Sequence, residues 1–269
     1  MPRAVFRVLA KLSLCIAASA AASLPAAAQP ASDPDAQHKA DLIVAYRILV
    51  NEGILDSFGH ISVRSAKDPN VFFMPRAMPP ALVSLDDLME LRVADSQPVD
   101  PKGRRVNGER YIHGEIYKAR PDANCVMHTH TTAGVSVASL EGGLSQSNFY
   151  SAQLHDMVAY HEFEGITETA DESERIAREL ADKAVLILRN HGLLAWGGSL
   201  PEAFGVMYSL QRACDTQIAA SAAGSINRIS AAAMELSRQE FIANEPRACQ
   251  LLFDAMVRQL DLPAIDYRS

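Results

Sequence analysis

The chain has 269 residues, and its 32 aspartates and glutamates outnumber its 25 lysines and arginines. Three of the basic residues lie in the first 28 positions, so the remaining chain has 22 basic against 32 acidic residues, a net charge of −10. Such a charge repels nucleic acids and anionic membranes, and we expect neither as a partner. The length suits one large α/β domain with a substantial core, although it also permits two.

The first 28 residues show, in order, the features of a secretory signal peptide. An apolar stretch at 12–24 leads to a small-residue cleavage site at 26–28. The basic residues around its start are Arg3, Arg7 and Lys11. The apolar stretch is too short to span a membrane, and no later apolar run reaches about 18 residues. We therefore expect cleavage near Ala28, a periplasmic or secreted protein, and one domain over 29–269.

Cysteine usage does not indicate a disulfide framework. Cys15 lies in the predicted signal, which leaves Cys125, Cys214 and Cys249, an odd number at distant positions. Cys125 is in an apolar run, so we expect it to be a small buried side chain and not a metal ligand.

Hydrophobic periodicity and capping residues predict that helices and strands alternate along the chain. The predicted helices cover 34–51, 107–120, 131–139, a segment that begins at 169, 199–223, 229–242 and 246–260. The predicted strands cover 61–64, 71–74, 89–93, 125–127, 185–188 and 193–196. A short helical turn is expected after Ser84. The periodicity of 149–160 does not choose between helix and strand.

Two histidines, His128 and His130, lie at the end of the predicted strand that begins at 125. Side chains alternate between the two faces of an extended segment, so a His-x-His pair points both imidazoles to one side. The motif alone would also suit two surface histidines, but a third, His191, follows the predicted strand at 185–188. Three imidazoles and an upstream carboxylate predict a metal site with one open coordination position.

Two glutamates in the helix that begins at 107 compete for the catalytic role. We favour Glu109, because it lies in the first turn, where the helix N-terminus stabilises an anion. Glu109 also shares a helix face with His113 and Ile116. Glu115 lies well round from it, and we expect Glu115 to be a solvated helix charge.

Five further residues are candidates for binding the substrate: His60, Arg76, Asn107, Gly108 and His155. His60 follows a glycine turn, and a site residue and an ordinary turn histidine fit that position equally well. Arg76 lies in a loop, where a solvated charge is the default. If Arg76 faces the metal, its forked guanidinium suits a substrate carboxylate.

Three segments carry a family pattern: NGERYIHGEIYKARPDANCVMHTH, LILRNHG and SLPEAF. Through them the chain resembles the class II aldolase/adducin family from about 41 to 224. The resemblance implies a three-layer α/β/α domain around a mostly antiparallel sheet, and commonly a homotetramer. It also implies one divalent ion held by His128, His130 and His191, with Glu109 as the proton carrier. Zinc is the expected metal, although three imidazoles also accept manganese, iron or cobalt.

The sequence differs at three sites from the sugar-phosphate aldolases of this family, which bind phosphate through short polar groups. The corresponding places here read Gly59-His60, Pro75-Arg76-Ala77 and Asn107-Gly108, so most of the phosphate cradle is missing. The turn GHISVR together with ERYIHGEIY instead resembles the subgroup that includes decarboxylases of dihydroxyphthalate and of hydroxy-carboxy-muconic semialdehydes.

That resemblance predicts a metal-dependent carbon–carbon lyase, a decarboxylase of a small hydroxy-aromatic or hydroxy/oxo carboxylic acid. Decarboxylation and retro-aldol cleavage both leave an enolate, which a divalent ion stabilises as a Lewis acid. Two alternatives stay open. One is a class II aldolase that cleaves an unphosphorylated hydroxy-oxo acid, and the other is a non-catalytic exported metal-binding protein of the same fold.

Overall fold

Helices cover both faces of a seven-stranded sheet in the computed structural model of the protein, which describes residues 33–261. The predicted signal peptide at 1–28 lies outside the described residues. The helices are α1 (Ala36–Asn51), α2 (Arg110–Ala119), α3 (Thr132–Ala138), α4 (Phe149–Gln153), α5 (Ala170–Leu180), α6 (Leu200–Ala223) and α7 (Ala231–Asp261). The strands are β1 (His60–Arg64), β2 (Val71–Pro75), β3 (Leu88–Arg92), β4 (Cys125–Thr129), β5 (Val158–His161), β6 (Val185–Leu188) and β7 (Gly192–Gly197).

The strands lie in the order β3-β2-β1-β4-β7-β6-β5. Every neighbouring pair is antiparallel except β5 and β6, which are parallel. The predicted three-layer α/β/α domain with a mostly antiparallel sheet is therefore confirmed. The single parallel pair is joined by α5, because parallel neighbours need a crossover connection.

Two hydrophobic cores lie on opposite faces of this sheet. One contains side chains of α1, α6 and α7 with alternate strand residues such as Met127, and the other contains side chains of α2 and α5 with the intervening residues such as Val126. Because both faces are covered, strands such as β4 are buried along their whole length. Their sequences therefore read as continuous apolar runs and do not alternate with polar residues.

The pairing of β1 with β4 determines which polar side chains face α2. In its register His60 lies opposite His128, and Ser62 lies opposite Val126. Val126 belongs to the core that α2 covers, and side chains two residues apart share a face. The pairing therefore presents His60, Ser62 and His128 to the α2 side of the sheet.

The C-terminal region corrects one prediction. We expected two helices, at 229–242 and 246–260, whereas α7 is a single helix with Pro246 inside it. Proline in a helix interior removes one backbone hydrogen bond. That loss is offset by packing of α7 along α6, where the rings of Phe253 and Phe204 have centroids 5.4 Å apart.

Two other features of the sequence are resolved by the structure. The ambiguous stretch at 149–160 holds both kinds of element, since α4 and β5 divide it. Cys125, Cys214 and Cys249 are buried free thiols, and burial raises the pKa of the Cys125 thiol. Within 33–261, no helix combines the length and hydrophobicity that crossing a membrane requires.

A tyrosine from α1 completes the hydrogen bonding of β1. The Tyr46 hydroxyl accepts from the Ile61 N–H at 2.7 Å and donates to the Ile61 carbonyl at 3.1 Å. On β2, Phe73 lies opposite Val63. Because the two strands are antiparallel, the residue opposite Ile61 would be Pro75, which has no N–H to donate. The tyrosine hydroxyl therefore takes the place of a strand partner.

We predict that Tyr46→Phe destabilises the protein by about 1–3 kcal/mol, because it leaves a buried backbone N–H and carbonyl without partners. Urea unfolding followed by circular dichroism measures the change. Tyr150→Phe is the matched control, and we expect it to have a much smaller effect. Equal unfolding free energies for Tyr46→Phe and the wild type would contradict the role assigned to this hydroxyl.

Candidate metal centre and active site

Four side chains that are distant in sequence converge in the structure: Glu109, His128, His130 and His191. Their ligand atoms all lie within 4.8 Å of one another. His191 Nε2 is 3.2 Å from Glu109 Oε1 and 3.3 Å from His128 Nε2, and the His128 and His130 ring centroids are 4.4 Å apart. These are the four residues to which the sequence pattern assigns the metal and the proton transfer.

Local structure places each of the four. Glu109 directly precedes α2, and its backbone N–H donates to Asn107 Oδ1 at 2.9 Å. His128 is in β4, and His130 follows the end of that strand. His191 lies in the turn between β6 and β7, after a residue with positive φ, Asn190. The group therefore depends on three chain segments that meet only when the sheet has formed.

The Glu109 carboxylate is stabilised in its ionised form. Burial by itself raises the pKa of this carboxyl, but hydrogen bonds from His191 and His60 and the nearby His128 ring more than reverse the effect, so the pKa lies well below its usual range. His60 Nε2 is 2.9 Å from Glu109 Oε2. Glu109 is thus an anion at neutral pH.

Two of the histidines in the group, His128 and His130, are neutral at neutral pH. Burial lowers the pKa of His128 well below its usual value, with a further contribution from His130, and burial lowers the pKa of His130 to about 4. His128 Nδ1 donates to the Leu193 carbonyl at 2.9 Å, so the lone pair of this neutral ring is on Nε2 and points into the group. Neutral imidazoles oriented by backbone carbonyls are typical metal ligands.

The donor set fits a divalent cation. Imidazole nitrogens and one carboxylate converge on a common point, and three histidines with one carboxylate suit zinc and related ions. In addition, His130 Nδ1 is buried without a hydrogen-bond partner among the described residues, with Asp56 Oδ1 3.9 Å away. A buried nitrogen in that condition is costly unless a metal ion, a water molecule or the Asp56 carboxylate becomes its partner.

A cavity of about 520 Å³ lies beside Glu109. Four of the five predicted substrate-binding residues line it: His60, Arg76, Asn107 and Gly108. The volume is in the range of small-molecule sites. Glu109 and His60 therefore lie between the histidine group and a space in which a substrate can bind.

Two of these residues already have partners in the structure. Arg76 Nε donates to Asp87 Oδ1 at 2.8 Å. Although burial opposes it, hydrogen bonds from Ser84 and Arg76 lower the pKa of Asp87, so this is an ion pair. Gly108 has the carboxylate of Glu168 directly against it, where a Cβ atom would lie 2.3 Å from Glu168 Oε1.

Two expectations are not supported by the structure. His155 lies in a separate cavity with Gln146, Tyr160 and Glu235, so a single chain does not bring it to Glu109. Glu115, expected to be solvated, is buried, and Lys118 Nζ lies 2.6 Å from its Oε1.

Several residues near the site were not singled out from the sequence. His113, Ser62 and Tyr117 continue from His60 as a buried hydrogen-bonded series, and Arg105 lines the cavity. The helix spacing contains a signal for two of them, since Glu109, His113 and Tyr117 recur every fourth residue. Nothing in the sequence pattern around Arg105 indicates that this residue lies at the cavity.

We predict that Gly192→Ala weakens metal binding by about tenfold or more, in the range seen when the residues that orient metal ligands are changed. A Cβ atom at Gly192 would lie 2.4 Å from the Thr129 carbonyl oxygen, 3.0 Å from His130 and 3.2 Å from His128. Zinc affinity is measured by competition with a chromogenic chelator. Gly142→Ala, where nothing lies within 4 Å, is the control. If Gly192→Ala bound zinc with wild-type affinity, the close packing of Gly192 against His128 and His130 would not be what orients these imidazoles.

We also predict that the metal-free protein loses stability in mild acid. Between the usual value of 6.5 and the value of about 4 for His130, the unfolded chain binds a proton that the folded chain does not. Stability is therefore fully present above pH 6.5 and falls as the pH approaches 4, by on the order of 3 kcal/mol for His130 alone. Urea unfolding of chelator-treated protein at several pH values measures this.

The comparison that isolates this effect uses His130→Gln, which should lose part of the pH dependence. His155→Gln, outside the group, should keep all of it. An unfolding free energy that does not change between pH 7 and pH 4 in the chelator-treated wild type would contradict the prediction.

Comparison with known proteins places these features in a family. Residues 40–218 match the Class II Aldolase and Adducin N-terminal domain. An aldolase class 2 protein of Pseudomonas aeruginosa is 30% identical over 255 residues, 92% of this chain and 98% of that protein. The decarboxylase tropJ of Talaromyces stipitatus is 29% identical over 186 residues, 62% of this chain and 70% of the decarboxylase. Alpha-adducin of Mus musculus is 42% identical over 121 residues, 44% of this chain but 16% of the adducin.

Solved structures agree with the sequence comparison. An aldolase II superfamily protein from Pseudomonas syringae superposes with a TM-score of 0.80 at 31% identity, covering 88% of this chain and 97% of that one. An L-fuculose 1-phosphate aldolase from Glaciozyma antarctica gives a TM-score of 0.74 at 27% identity, covering 89% and 94%. With more than half of its length matched by the family domain, the chain belongs to the class II aldolase/adducin family.

Proposed function

We propose that the protein is a metal-dependent carbon–carbon lyase, a decarboxylase of a small hydroxy-aromatic or hydroxy/oxo carboxylic acid. The observation that carries this proposal is the position of Glu109, an ionised carboxylate between three histidines and a cavity whose lining includes two arginines. A proton carrier in that position serves a reaction at a substrate carbon, whereas metal storage alone would not require it.

The histidines His128, His130 and His191 would hold the metal ion, for which we propose zinc. A bound divalent ion would supply Lewis-acid stabilisation of the negative charge that develops when a carbon–carbon bond breaks. Glu109, which is ionised at rest, would first accept a proton from the substrate hydroxyl or from water in the cavity and would then donate it to the carbon that has lost its substituent. His60, which contacts Glu109 Oε2, holds the carboxylate in position during this step.

The cavity supports a carboxylated substrate without phosphate. Arg76 and Arg105 line it and can pair with a carboxylate through their guanidinium groups. The short polar residues of a phosphate cradle are replaced by His60, Arg76 and Asn107. Export, which we propose from the N-terminal 28 residues, would also keep the protein away from most sugar phosphates.

The relatives support two catalytic candidates, decarboxylation and aldol cleavage. The similarity to the decarboxylase tropJ supports decarboxylation, and the similarity to L-fuculose 1-phosphate aldolase supports aldol cleavage, here of an unphosphorylated hydroxy-oxo acid. The similarity to alpha-adducin leaves a non-catalytic exported metal-binding protein as a third candidate.

We also propose a homotetramer. Phe58 and Ile166 are exposed apolar side chains at the cavity, and Phe163 is exposed beside His191. A neighbouring chain that covered them would close the site to water and place the cavity at a subunit interface.

The experiment that tests the proposed function is a screen of zinc-reconstituted protein against hydroxy-aromatic acids and oxo-dicarboxylic acids. Released carbon dioxide supports decarboxylation. An aldehyde together with a smaller keto acid supports the aldolase, and no turnover of either class with the metal bound supports the non-catalytic candidate. Manganese, iron and cobalt reconstitution in parallel identifies the metal that gives the highest rate.

We predict that Glu109→Gln lowers kcat by about 10²–10⁴-fold, the usual contribution of a positioned acid or base, while zinc stays bound through the histidines. Glu115→Gln, in the helix that Glu109 directly precedes, is the matched control with wild-type kcat. His191→Ala should instead release the ion, as measured by elemental analysis. Full activity of Glu109→Gln would remove Glu109 from the mechanism.

A further inference from the structure

A line of four buried polar side chains leads away from Glu109. His60 Nδ1 is 2.7 Å from His113 Nε2, His113 Nδ1 is 2.6 Å from Ser62 Oγ, and Ser62 Oγ is 2.8 Å from the Tyr117 hydroxyl. The four side chains are at most 2% exposed, so water does not compete for their hydrogen bonds. Each contact is in the range of a good hydrogen bond.

The hydrogen bonds of this line form one directed series when an ionised Glu109 stands at one end and both imidazoles are neutral. An ionised carboxylate only accepts, so His60 Nε2 carries the proton and donates to Glu109 Oε2. A neutral His60 then has its lone pair on Nδ1, which requires His113 Nε2 to donate. The lone pair of His113 is consequently on Nδ1, and Ser62 must donate its hydroxyl proton to it.

Tyr117 completes the series at the other end. The Ser62 oxygen, having donated its proton to His113, accepts from the Tyr117 hydroxyl. Burial raises the pKa of Tyr117 well above its usual value, so the phenol keeps its proton. Burial lowers the pKa of His113 well below its usual value, which keeps that ring neutral. All four side chains therefore have a single consistent assignment of donors and acceptors.

We propose that His113 and Ser62 are positioning residues that hold His60 as the Nε2–H tautomer, so that His60 always presents a donor to Glu109 Oε2. Glu109 Oε1, which faces His191, is then the oxygen available for the reaction. The consequence for catalysis rests on the proposed function, but the tautomer of His60 does not.

The fold supports this role because the line is built from two elements in fixed register. His60 and Ser62 are two residues apart on β1, and His113 and Tyr117 are four residues apart on α2. The spacing of 2 on a strand and 4 on a helix keeps each pair on one face. Leaving any one buried donor or acceptor unpaired is costly, which disfavours other arrangements.

Neutron crystallography of the deuterium-exchanged, zinc-loaded protein tests the proposal directly, because it locates deuterons on ring nitrogens. We expect deuterons on His60 Nε2 and His113 Nε2 in the wild type. A deuteron on His60 Nδ1 in the wild type, with or without one on Nε2, would overturn the proposal, whatever reaction the protein catalyses.

The variant Ser62→Ala removes the donor to His113 Nδ1. We expect deuterium density on both nitrogens of His113 and His60, and a kcat lowered by about 10–100-fold with little change in KM, as for other residues that orient a site ligand. Ser173→Ala is the matched control, since Ser173 is an equally buried serine that donates to the Thr169 carbonyl away from the site. Both variants should lose similar stability in urea unfolding.

The comparison of the two variants separates positioning from packing. If Ser62→Ala keeps the wild-type tautomers and kcat, the line is structural only and the proposal is wrong. If Ser62→Ala does not fold, the wild-type deuteron positions still decide. Changed tautomers in a protein with no activity on any acid would uphold the positioning and reject the proposed function.

Discussion

The buried Glu109 carboxylate is the constraint on which the rest of the site depends. A carboxylate removed from water is costly unless charge or hydrogen bonds compensate it. Here its two oxygens have different partners, His60 at 2.9 Å on Oε2 and His191 at 3.2 Å on Oε1. Because both partners are imidazoles, each has a second nitrogen that also needs a partner or an opening to solvent. One buried acid thus determines the chemistry of several neighbours.

Strand register satisfies that requirement. A slip of one residue between β1 and β4 would turn His60 and Ser62 to the opposite face of the sheet, against the core formed by α1 and α6. Glu109 would then lose its partner on Oε2, and His113 would be buried without one. The apolar residues of β1 and the polar residues of α2 therefore select the same register, which is the agreement between local and global preferences that a unique fold needs.

The sequence allowed the prediction of features that depend on neighbouring residues. The pair His128 and His130 follows from strand alternation, and the position of Glu109 follows from the start of a helix. Features that depend on distant segments were not predictable. The burial of Glu115 depends on how the rest of the chain packs around α2, and continuation of α7 through Pro246 requires the contact with α6. The three-layer fold itself was expected from family resemblance and not from periodicity.

The charges around the cavity bear on the kind of substrate it accepts. The cavity lining includes Arg76 and Arg105 together with Glu109 and Glu168, and Asp87 already pairs with Arg76, so two cations are accompanied by three anions. A divalent ion on the histidines would change this balance to a single net positive charge. That charge complements one carboxylate, whereas a phosphate dianion would leave a net negative charge in a partly buried space. Electrostatic complementarity of this kind selects among partners more than it adds affinity. The cavity therefore favours a carboxylic acid whose remaining polar groups are neutral hydroxyl or oxo groups.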